Sequence, residues 1–211
     1  MEENIKKGTT TLGIVCKDCV ILAADRRATA GGMIVNKKTE KVQVINENFA
    51  VTLAGTVSDA QLLVKLIKAE LKLKEIRTGR KPTTKEAANL LGGMVYENIR
   101  RMSMIPGIAH FLLGGTDNTG NYLYDLFPDG SVTDIDDYVS SGSGSVFAYG
   151  VLETGYSKDM TGDEAIKLAI KAINAALQRD TASGNGIDIV KITKDGVKKV
   201  FEQEVNARIE G

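Results

Sequence analysis

The sequence has little of what many hydrolytic and metal-dependent sites require. It contains one histidine, His110, so a Ser–His–Asp or Cys–His site would have to use that residue, and a multi-histidine metal site is excluded. Its two cysteines, Cys16 and Cys19, are too few for a cysteine-only zinc site. They flank Lys17 and Asp18 between two apolar runs, which favours strand residues beside a tight turn over a redox pair. We expect His110 to be a hydrogen-bonded residue of a core or an interface.

An excess of charge and a long apolar run are also missing. The 211 residues carry 27 basic and 27 acidic side chains, and this balance leaves no electrostatic footprint for nucleic acid or an anionic membrane. No apolar run approaches the roughly 18–20 residues that a membrane span needs. Residues 1–8 are polar and charged, without the apolar segment of a secretory signal. These features predict a cytoplasmic protein with no nucleic-acid or membrane partner.

Neither a metal nor a cofactor is expected. Asp134, Asp136 and Asp137 lack the spacing and the closing glutamate of a calcium-binding loop. The Gly-Ser-Gly-Ser run at 142–145 lacks the Gly-Lys-Ser/Thr that completes a phosphate-binding loop. With 43% apolar residues, the chain has the length and composition of one globular domain with a sizeable core.

Apolar patterning predicts hairpins, a helix pair, further strands, a second helix pair and a closing hairpin. The predicted strands are 9–16, 19–25, 41–46, 49–55, 108–115, 121–127, 131–139, 187–193 and 197–201. The predicted helices run from a capping-box sequence at Ser58 to Thr78, from Thr83 to a stop at Pro106, over 145–154 and over 163–178. Tight turns and paired helices argue against a doubly wound parallel fold and predict an α+β protein with antiparallel sheets.

The first hairpin brings an acidic residue to the start of its own first strand. A two-residue loop at 17–18 places Thr10 opposite Asp25. Thr9 then lies one position further out, so the carboxylate of Asp25 should lie beside the first threonines of the strand.

The second hairpin brings a basic residue to its own open end. A two-residue loop at 47–48 pairs Lys41 with Ala54, next to Gly55. If the open ends of the two hairpins meet, one site holds a threonine, an aspartate, a lysine and an unobstructed backbone N–H.

These groups suit a threonine nucleophile in a chain with almost no histidine. An N-terminal threonine supplies its own base, because an α-amino group with a reference pKa of about 8 can take the hydroxyl proton. Lys41 would lower both pKa values, Asp25 would hold Lys41 in place, and the N–H of Gly55 would bind the oxyanion. Thr9 is not the first encoded residue, so this mechanism requires cleavage after Gly8. Taken alone, glycine followed by threonines is also an ordinary start of a strand.

Several segments in order resemble the proteasome β subunits, the archaeal type most closely. They are KGTTTLGI (7–14), LAADRRAT (22–29), the strand with Lys41, LAGTVSDAQLL (53–63), SSGSGSVFAYGVLE (140–153) and QRDTASGNGIDIVKI (178–192). The resemblance implies a four-layer α-β-β-α sandwich with two stacked antiparallel sheets, the N-terminal nucleophile hydrolase fold. It also implies that residues 1–8 are a propeptide removed by autocleavage between Gly8 and Thr9, and that 9–211 form a single domain.

The resemblance further implies roles for individual residues. The positions that match the family's catalytic residues are Thr9, Asp25, Lys41, Ser143, Asp180 and Ser183, with Gly55 in the oxyanion hole. The positions that resemble the pocket for the residue before the scissile bond (P1) are Ala28, Thr39, Gln43, Leu53, Val57 and Gln61. None of these pocket residues is charged, which predicts cleavage after apolar residues.

The family's activity is that of a threonine endopeptidase, which cuts unfolded proteins to short peptides without a cofactor. Its members assemble as stacked seven-membered rings, two of β subunits between two of α subunits, and an ATP-dependent unfoldase feeds the chamber. Two alternatives stay open. The chain could be a structural β subunit that is never processed, or a small-substrate amidase of the same fold.

Overall fold

A computed structural model of the chain describes residues 8–205. Residues 1–7, which make up nearly all of the expected propeptide, and residues 206–211 lie outside the described part. The strands are β1 Thr11–Val15, β2 Val20–Asp25, β3 Ala28–Ala30, β4 Met33–Asn36, β5 Val42–Val44, β6 Phe49–Gly55, β7 Ala109–Asp117, β8 Gly120–Leu126, β9 Val132–Ile135, β10 Tyr138–Ser141, β11 Gly186–Thr193 and β12 Gly196–Glu204. The helices are α1 Val57–Thr78, α2 Thr84–Arg100, α3 Ser145–Gly155 and α4 Gly162–Arg179.

Two antiparallel sheets stack face to face between two pairs of helices. The first sheet has the strand order β10-β1-β2-β11-β12 and the second has the order β5-β6-β7-β8-β9, while β3 and β4 form a separate hairpin. Helices α3 and α4 cover the first sheet, and α1 and α2 cover the second. The four-layer α-β-β-α sandwich expected from the sequence is confirmed.

Strand alternation divides the apolar side chains among three buried layers. On β2, Ile21 faces the helices α3 and α4, whereas its neighbour Leu22 lies between the sheets. On β7, Phe111 faces α1 and α2, whereas Leu112 lies between the sheets. All four side chains are fully buried, and each contributes about 1.5–3 kcal/mol by leaving water. Both sheets therefore bury both of their faces.

Capping boxes begin two of the helices in the described residues. The N–H of Glu86 donates to Thr83 Oγ1 at 3.2 Å, and the N–H of Thr83 donates back to the carboxylate of Glu86 at 2.9 Å. Thr161 and Glu164 repeat this exchange at the start of α4. Each box satisfies backbone donors that the first helical turn leaves without partners.

Two predicted helix limits are wrong. The capping box expected at Ser58 does not start α1, which begins at Val57 with Thr56 as its N-cap. Strand β6 runs directly into this helix, so no linker separates them. Helix α2 ends at Arg100, well before the expected stop at Pro106, and the backbone is extended at Arg101, directly after the helix.

The predicted strand 131–139 is two strands in different sheets. Strand β9 pairs with β8 in the second sheet, and β10 pairs with β1 in the first, with a bend at 136–137 between them. Apolar alternation reports which face of a strand is buried but not which sheet holds it. The β3–β4 hairpin was not predicted, because its apolar residues are exposed and its sequence does not alternate.

The predicted register of the first hairpin is confirmed. Thr11 pairs with Ala24, and the N–H of Asp25 donates to the carbonyl of Thr10 at 3.1 Å. Asp25 therefore lies opposite Thr10, where the two-residue loop at 17–18 placed it.

The predicted register of the second hairpin is wrong by one residue. Lys41 lies opposite Leu53, whose N–H donates to the carbonyl of Lys41 at 2.8 Å, and not opposite Ala54. The loop has three residues instead of two, because the side chain of Asn46 closes it by accepting from the N–H of Phe49 at 3.0 Å.

Candidate active site

Three predicted side chains converge at the end of the first sheet. The hydroxyl of Thr9 donates to Oδ1 of Asp25 at 3.0 Å, and Nζ of Lys41 lies 2.6 Å from the same oxygen. Lys41 Nζ also donates to Thr9 Oγ1. Thr9 and Lys41 are each 5% exposed and Asp25 is fully buried. The hydroxyl of Thr9 therefore lies between a buried cation and a buried carboxylate.

Backbone donors hold the carboxylate of Asp25 in place. Its Oδ1 accepts from the N–H of Thr10 at 2.9 Å. Its Oδ2 accepts from the N–H groups of Arg27 and Gly184, at 3.0 and 2.9 Å. With these three bonds and Lys41, the buried carboxylate has partners on both oxygens, which is the condition for keeping a charge out of water.

Lys41 is an ammonium group in a desolvated position. Burial is the largest influence on it and lowers its pKa from the ordinary lysine value. Asp25 and Asp180 act in the opposite direction, while the charge of Arg27 lowers the pKa further. Lys41 thus gives up its proton more readily than an exposed lysine does.

A second polar cluster lies beside the backbone nitrogen of Thr9. That nitrogen donates to Oγ of Ser143 at 3.3 Å. The hydroxyls of Ser143 and Ser183 both donate to Oδ2 of Asp180, each at 2.6 Å. Thr10 Oγ1 lies 2.7 Å from Ser183 Oγ and links this cluster to the first strand. The predicted residues Ser143, Asp180 and Ser183 therefore form one hydrogen-bonded chain at the position where an N-terminal amine of Thr9 would lie.

The residue before Thr9 fits only as glycine. A Cβ on Gly8 would lie 1.8 Å from Cβ of Ala182 and 2.8 Å from Oγ of Ser143. The N–H of Gly8 donates to Oγ1 of Thr29 at 3.2 Å. In the full-length chain the nitrogen of Thr9 is an amide, and it becomes an amine only when the bond to Gly8 is cut.

Gly55 lies at the junction of β6 and α1 and faces the same site. Its φ of +98° is in the region that favours glycine, and a Cβ there would lie 2.4 Å from the carbonyl oxygen of Ile108. The backbone at Gly55 lines a cavity together with Thr9. No other residue fits this position without moving β7.

This cavity, of about 380 Å³, opens beside Thr9 and contains most of the predicted substrate pocket. The predicted residues that line it are Thr39, Gln43, Leu53, Val57 and Gln61. Ala28 lines an adjoining cavity of about 270 Å³, which shares Gly8, Gly55 and Val57 with the first. The pocket positions inferred from sequence are therefore brought together around Thr9, with Ala28 on its edge.

The cavity also has charged lining residues that the sequence analysis missed. They are Glu40 on the β5 side and Lys65 and Lys68 on α1. Helical spacing was the available signal, because Gln61, Lys65 and Lys68 lie at i, i+4 and i+7 on one face of the helix.

Residues 8–205 contain no group of three or more histidine, cysteine, aspartate or glutamate side chains arranged to hold a metal ion. Within the same residues, every helix is too short or too polar to cross a membrane.

Comparison with known proteins gives concordant matches over nearly the whole chain. The family model described as "Proteasome subunit" matches residues 5–192. "Proteasome subunit beta" of Ferroglobus placidus is 43% identical over 210 residues, which cover 100% of this chain and 98% of that protein. Proteins of the same name from Methanocaldococcus jannaschii and Methanobrevibacter smithii are each 44% identical, over 95% and 98% of this chain and over 88% and 97% of their own lengths.

Proposed function

The chain belongs to the proteasome subunit family, as a β subunit of archaeal type, and from this premise we propose that it is a threonine endopeptidase. A protease is what membership of the β subunits implies; the choice of Thr9 as nucleophile is the proposal. The observation that carries it is the convergence of Asp25 and Lys41 on the hydroxyl of Thr9, inside a buried, hydrogen-bonded cluster. An isolated strand residue would have no need of a buried lysine–aspartate pair at its hydroxyl, because burying two charges is costly.

The proposed reaction starts once residues 1–8 have been removed. The freed α-amine of Thr9 takes the proton of its own hydroxyl, and Oγ1 forms a bond to the carbonyl carbon of the substrate. The ammonium of Lys41 stabilises negative charge on Oγ1, and Asp25 holds Lys41 at hydrogen-bonding distance. The N–H of Gly55 is the donor proposed for the oxyanion, since Gly55 borders the same cavity as Thr9.

Collapse of the tetrahedral intermediate breaks the peptide C–N bond. The departing amine takes the proton from the α-ammonium of Thr9, and an ester remains on Oγ1. Water then hydrolyses this ester and restores the hydroxyl. Ser143, Asp180 and Ser183 are proposed to orient the amine and this water, because their hydrogen-bonded chain reaches the nitrogen of Thr9.

The same hydroxyl is proposed to cut the bond between Gly8 and Thr9, so that 1–8 is a propeptide and 9–211 the mature domain. Oγ1 adds to the carbonyl carbon of Gly8, the C–N bond breaks, the nitrogen of Thr9 takes the hydroxyl proton and becomes the amine, and water hydrolyses the ester left on Oγ1. The close packing at Gly8 supports this, because a Cβ there would clash with Ala182 and Ser143 and the residue before the cut bond can only be glycine. Residues 1–7 lie outside the described part of the chain, so the argument rests on Gly8 and its neighbours.

The substrate proposed is an unfolded polypeptide, cut after apolar P1 residues. The supporting observation is the apolar part of the cavity of about 380 Å³ beside Thr9, which Leu53, Val57, Ala60 and Val64 line. As a proteasome β subunit the chain assembles with other subunits of the core particle. Stacked seven-membered rings of α and β subunits, an ATP-dependent unfoldase and a cytoplasmic location are part of the same proposal.

The deciding experiment is the intact mass of the chain after co-expression with its α subunits. Loss of Met1–Gly8 from the wild type, and its retention in Thr9→Ala, is the expected result. Retention of all residues in the assembled wild-type particle would instead identify a structural β subunit that is not processed. If the mature particle hydrolyses a single small amide but not unfolded casein, the chain is an amidase and the proposed substrate is wrong.

A further inference from the structure

The single histidine of the chain lies between the two sheets. His110 is on β7 of the second sheet, and its Nδ1 is 2.8 Å from Oγ of Ser141 at the end of β10 in the first sheet. Its Nε2 is 2.5 Å from Oδ1 of Asp125 on β8, and its ring stacks on Phe127 with 4.9 Å between ring centroids. In the tautomer with a proton on Nε2, the ring donates to Asp125 and accepts from Ser141. The expectation of a hydrogen-bonded interface histidine is confirmed.

This Ser–His–Asp order does not make a second hydrolytic site. Ser141 is only 4% exposed, so a substrate carbonyl cannot reach its hydroxyl. The ring is a link between two layers of the fold.

The hydrogen-bonded chain Ser141–His110–Asp125 lies next to the candidate active site on both sheets. Ser141 directly precedes the turn 142–144, which contacts Thr9: the N–H of Gly144 donates to the carbonyl of Thr9 at 3.3 Å. A Cβ at Gly142 would lie 2.1 Å from the same carbonyl oxygen, so the turn is packed tightly against the nucleophile. On the other sheet, His110 pairs with Ala54, the residue before Gly55.

Most of the side chains packed between the two sheets are apolar. Apolar contacts have no preferred direction, whereas a hydrogen bond fixes both a distance and an angle. Lys41 also bridges the sheets, but it belongs to the site whose geometry has to be held.

We propose that the Ser141–His110–Asp125 chain is a positioning device for the proposed reaction. It fixes the 142–144 turn, which carries Ser143 beside the nitrogen of Thr9, relative to Gly55 on the opposite sheet. His110 touches neither substrate nor the reacting atoms, so it acts through these two neighbours. This inference rests on the proposed function of Thr9.

The test compares two substitutions that each remove a buried hydrogen bond, in particles assembled with co-expressed α subunits. His110→Leu removes the link between the sheets. Thr84→Val is the matched control. Thr84 is fully buried on α2, and its hydroxyl donates to Asp117 at 3.0 Å. Asp117 is the last residue of β7, at the opposite end of the strand from His110. Thermal unfolding, kcat and KM are measured with a fluorogenic peptide, well below both unfolding transitions.

We expect His110→Leu to lower kcat about tenfold with KM within about twofold, because small displacements of reacting groups are costly in rate. Thr84→Val should lower the unfolding temperature while leaving kcat unchanged. His110→Gln, which keeps a donor and an acceptor, should restore part of kcat. An unchanged kcat in His110→Leu, or an equal fall of kcat in both variants, would overturn the inference.

A milder variant keeps the inference testable if His110→Leu does not assemble. Ser141→Ala removes one hydroxyl from the chain and leaves the ring in place, and a fall of kcat of about threefold or more is expected. An unchanged kcat in this variant also overturns the inference. Failure of the proposed function looks different, because the wild-type particle would then itself lack a processed N-terminus.

Discussion

The space between the two sheets has an apolar region and a polar end. The first contributes mainly to the stability of the fold and the second to the geometry of the candidate active site. In the apolar region Leu22, Leu112 and Val190 are at most 1% exposed and carry no polar side-chain atom. At the polar end Asp25 is fully buried and Lys41 is 5% exposed, and these charged side chains hold the hydroxyl of Thr9.

The apolar region stabilises the fold without fixing distances, whereas the polar end fixes distances at an energetic cost. Desolvation of a buried ion costs several kcal/mol even after relaxation, and the lowered pKa of Lys41 has this burial as its main cause. Stability and activity should therefore be separable by substitution in one region or the other.

The largest effect is expected from removal of the cation at the polar end. In Lys41→Met, turnover should fall by at least about a hundredfold, because the charge that stabilises Oγ1 is lost. The unfolding temperature should also fall, because the fully buried carboxylate of Asp25 loses its cation and keeps neutral donors alone, among them the N–H groups of Thr10, Arg27 and Gly184. Hydrolysis is therefore measured below the unfolding transition of the variant. The measurements are peptide hydrolysis and thermal unfolding, on a chain whose Thr9 has been exposed by cutting an N-terminal fusion.

Lys41→Met should also abolish removal of residues 1–8 by the chain itself. Cutting a fusion to expose Thr9 therefore allows turnover to be measured without this self-processing step. The native chain bearing Lys41→Met, analysed by intact mass, is the companion sample. Near-normal hydrolysis by the independently exposed variant would remove Lys41 from the mechanism.

In the apolar region we expect a substitution to lower the stability and to leave the activity nearly unchanged. Leu112→Ala should lower the free energy of unfolding by about 2–5 kcal/mol, because it leaves a cavity between the sheets. Below the unfolding transition its kcat should stay within about twofold of the wild type, since the site keeps its own hydrogen bonds. Denaturant unfolding of the isolated chain and peptide hydrolysis by the particle are the two measurements.

A matched control for this variant is Leu66→Ala on α1. Leu66 is 44% exposed, so the same chemical change should cost far less stability in the isolated chain. If both variants lose equal stability, or if Leu112→Ala loses activity in proportion to its stability, the division into two regions is wrong.

The pH dependence of kcat/KM tests the role of the charge on Lys41 at the polar end. The proposed base is the neutral amine of Thr9, so kcat/KM should rise with pH through the pKa of that amine. Lys41 has to stay charged, so kcat/KM should fall as pH rises through its pKa, which burial places below 10.5. A bell-shaped profile whose alkaline limb begins below pH 10.5 is therefore expected.

Lys41→Arg is the control for this limb. Guanidinium stays charged throughout the accessible range, so whatever activity remains should not show the alkaline fall. An alkaline limb at the same pH in both proteins would assign it to another group.

How much of the site was predictable depended on the turns that precede it. The two-residue loop at 17–18 was read correctly, so Asp25 was placed beside the threonines from counting alone. The second loop has three residues, and its closure by the side chain of Asn46 is a local hydrogen bond that apolar patterning does not report. Lys41 still reaches Thr9, because a long side chain tolerates a shift of one residue.

Contacts between distant segments were beyond the reach of patterning. Residues 131–139 were predicted as one strand after the Pro128-Asp129-Gly130 turn, yet β9 and β10 belong to different sheets. The meeting of Ser143 with Asp180 at 2.6 Å follows from that crossing and was expected only from the family resemblance. An α+β protein with antiparallel sheets was predictable from the hairpin turns and the paired helices, whereas the four-layer sandwich was expected only from the family resemblance.

The smallest effect is expected on substrate preference, from charged side chains on the wall of the cavity that helix α1 forms. Lys65 and Lys68 lie on the lining of α1, and Glu40 is the acidic residue among the lining side chains. Glu40 is engaged with Lys199 at 3.1 Å. A peptide with an acidic P1 residue should therefore be cut faster than one with a basic P1 residue, although both should be slower than an apolar one.

Neutralising the two lysines tests this order. In Lys65→Gln/Lys68→Gln the ratio of acidic to basic P1 cleavage should fall about two- to fivefold, a modest change because exposed charges are screened by water and salt. Lys72→Gln is the matched control, since Lys72 lies one turn further along α1 and lines a different cavity. The prediction is wrong if Lys72→Gln changes the ratio as much as the double variant, because the effect would then come from overall charge and not from the cavity wall.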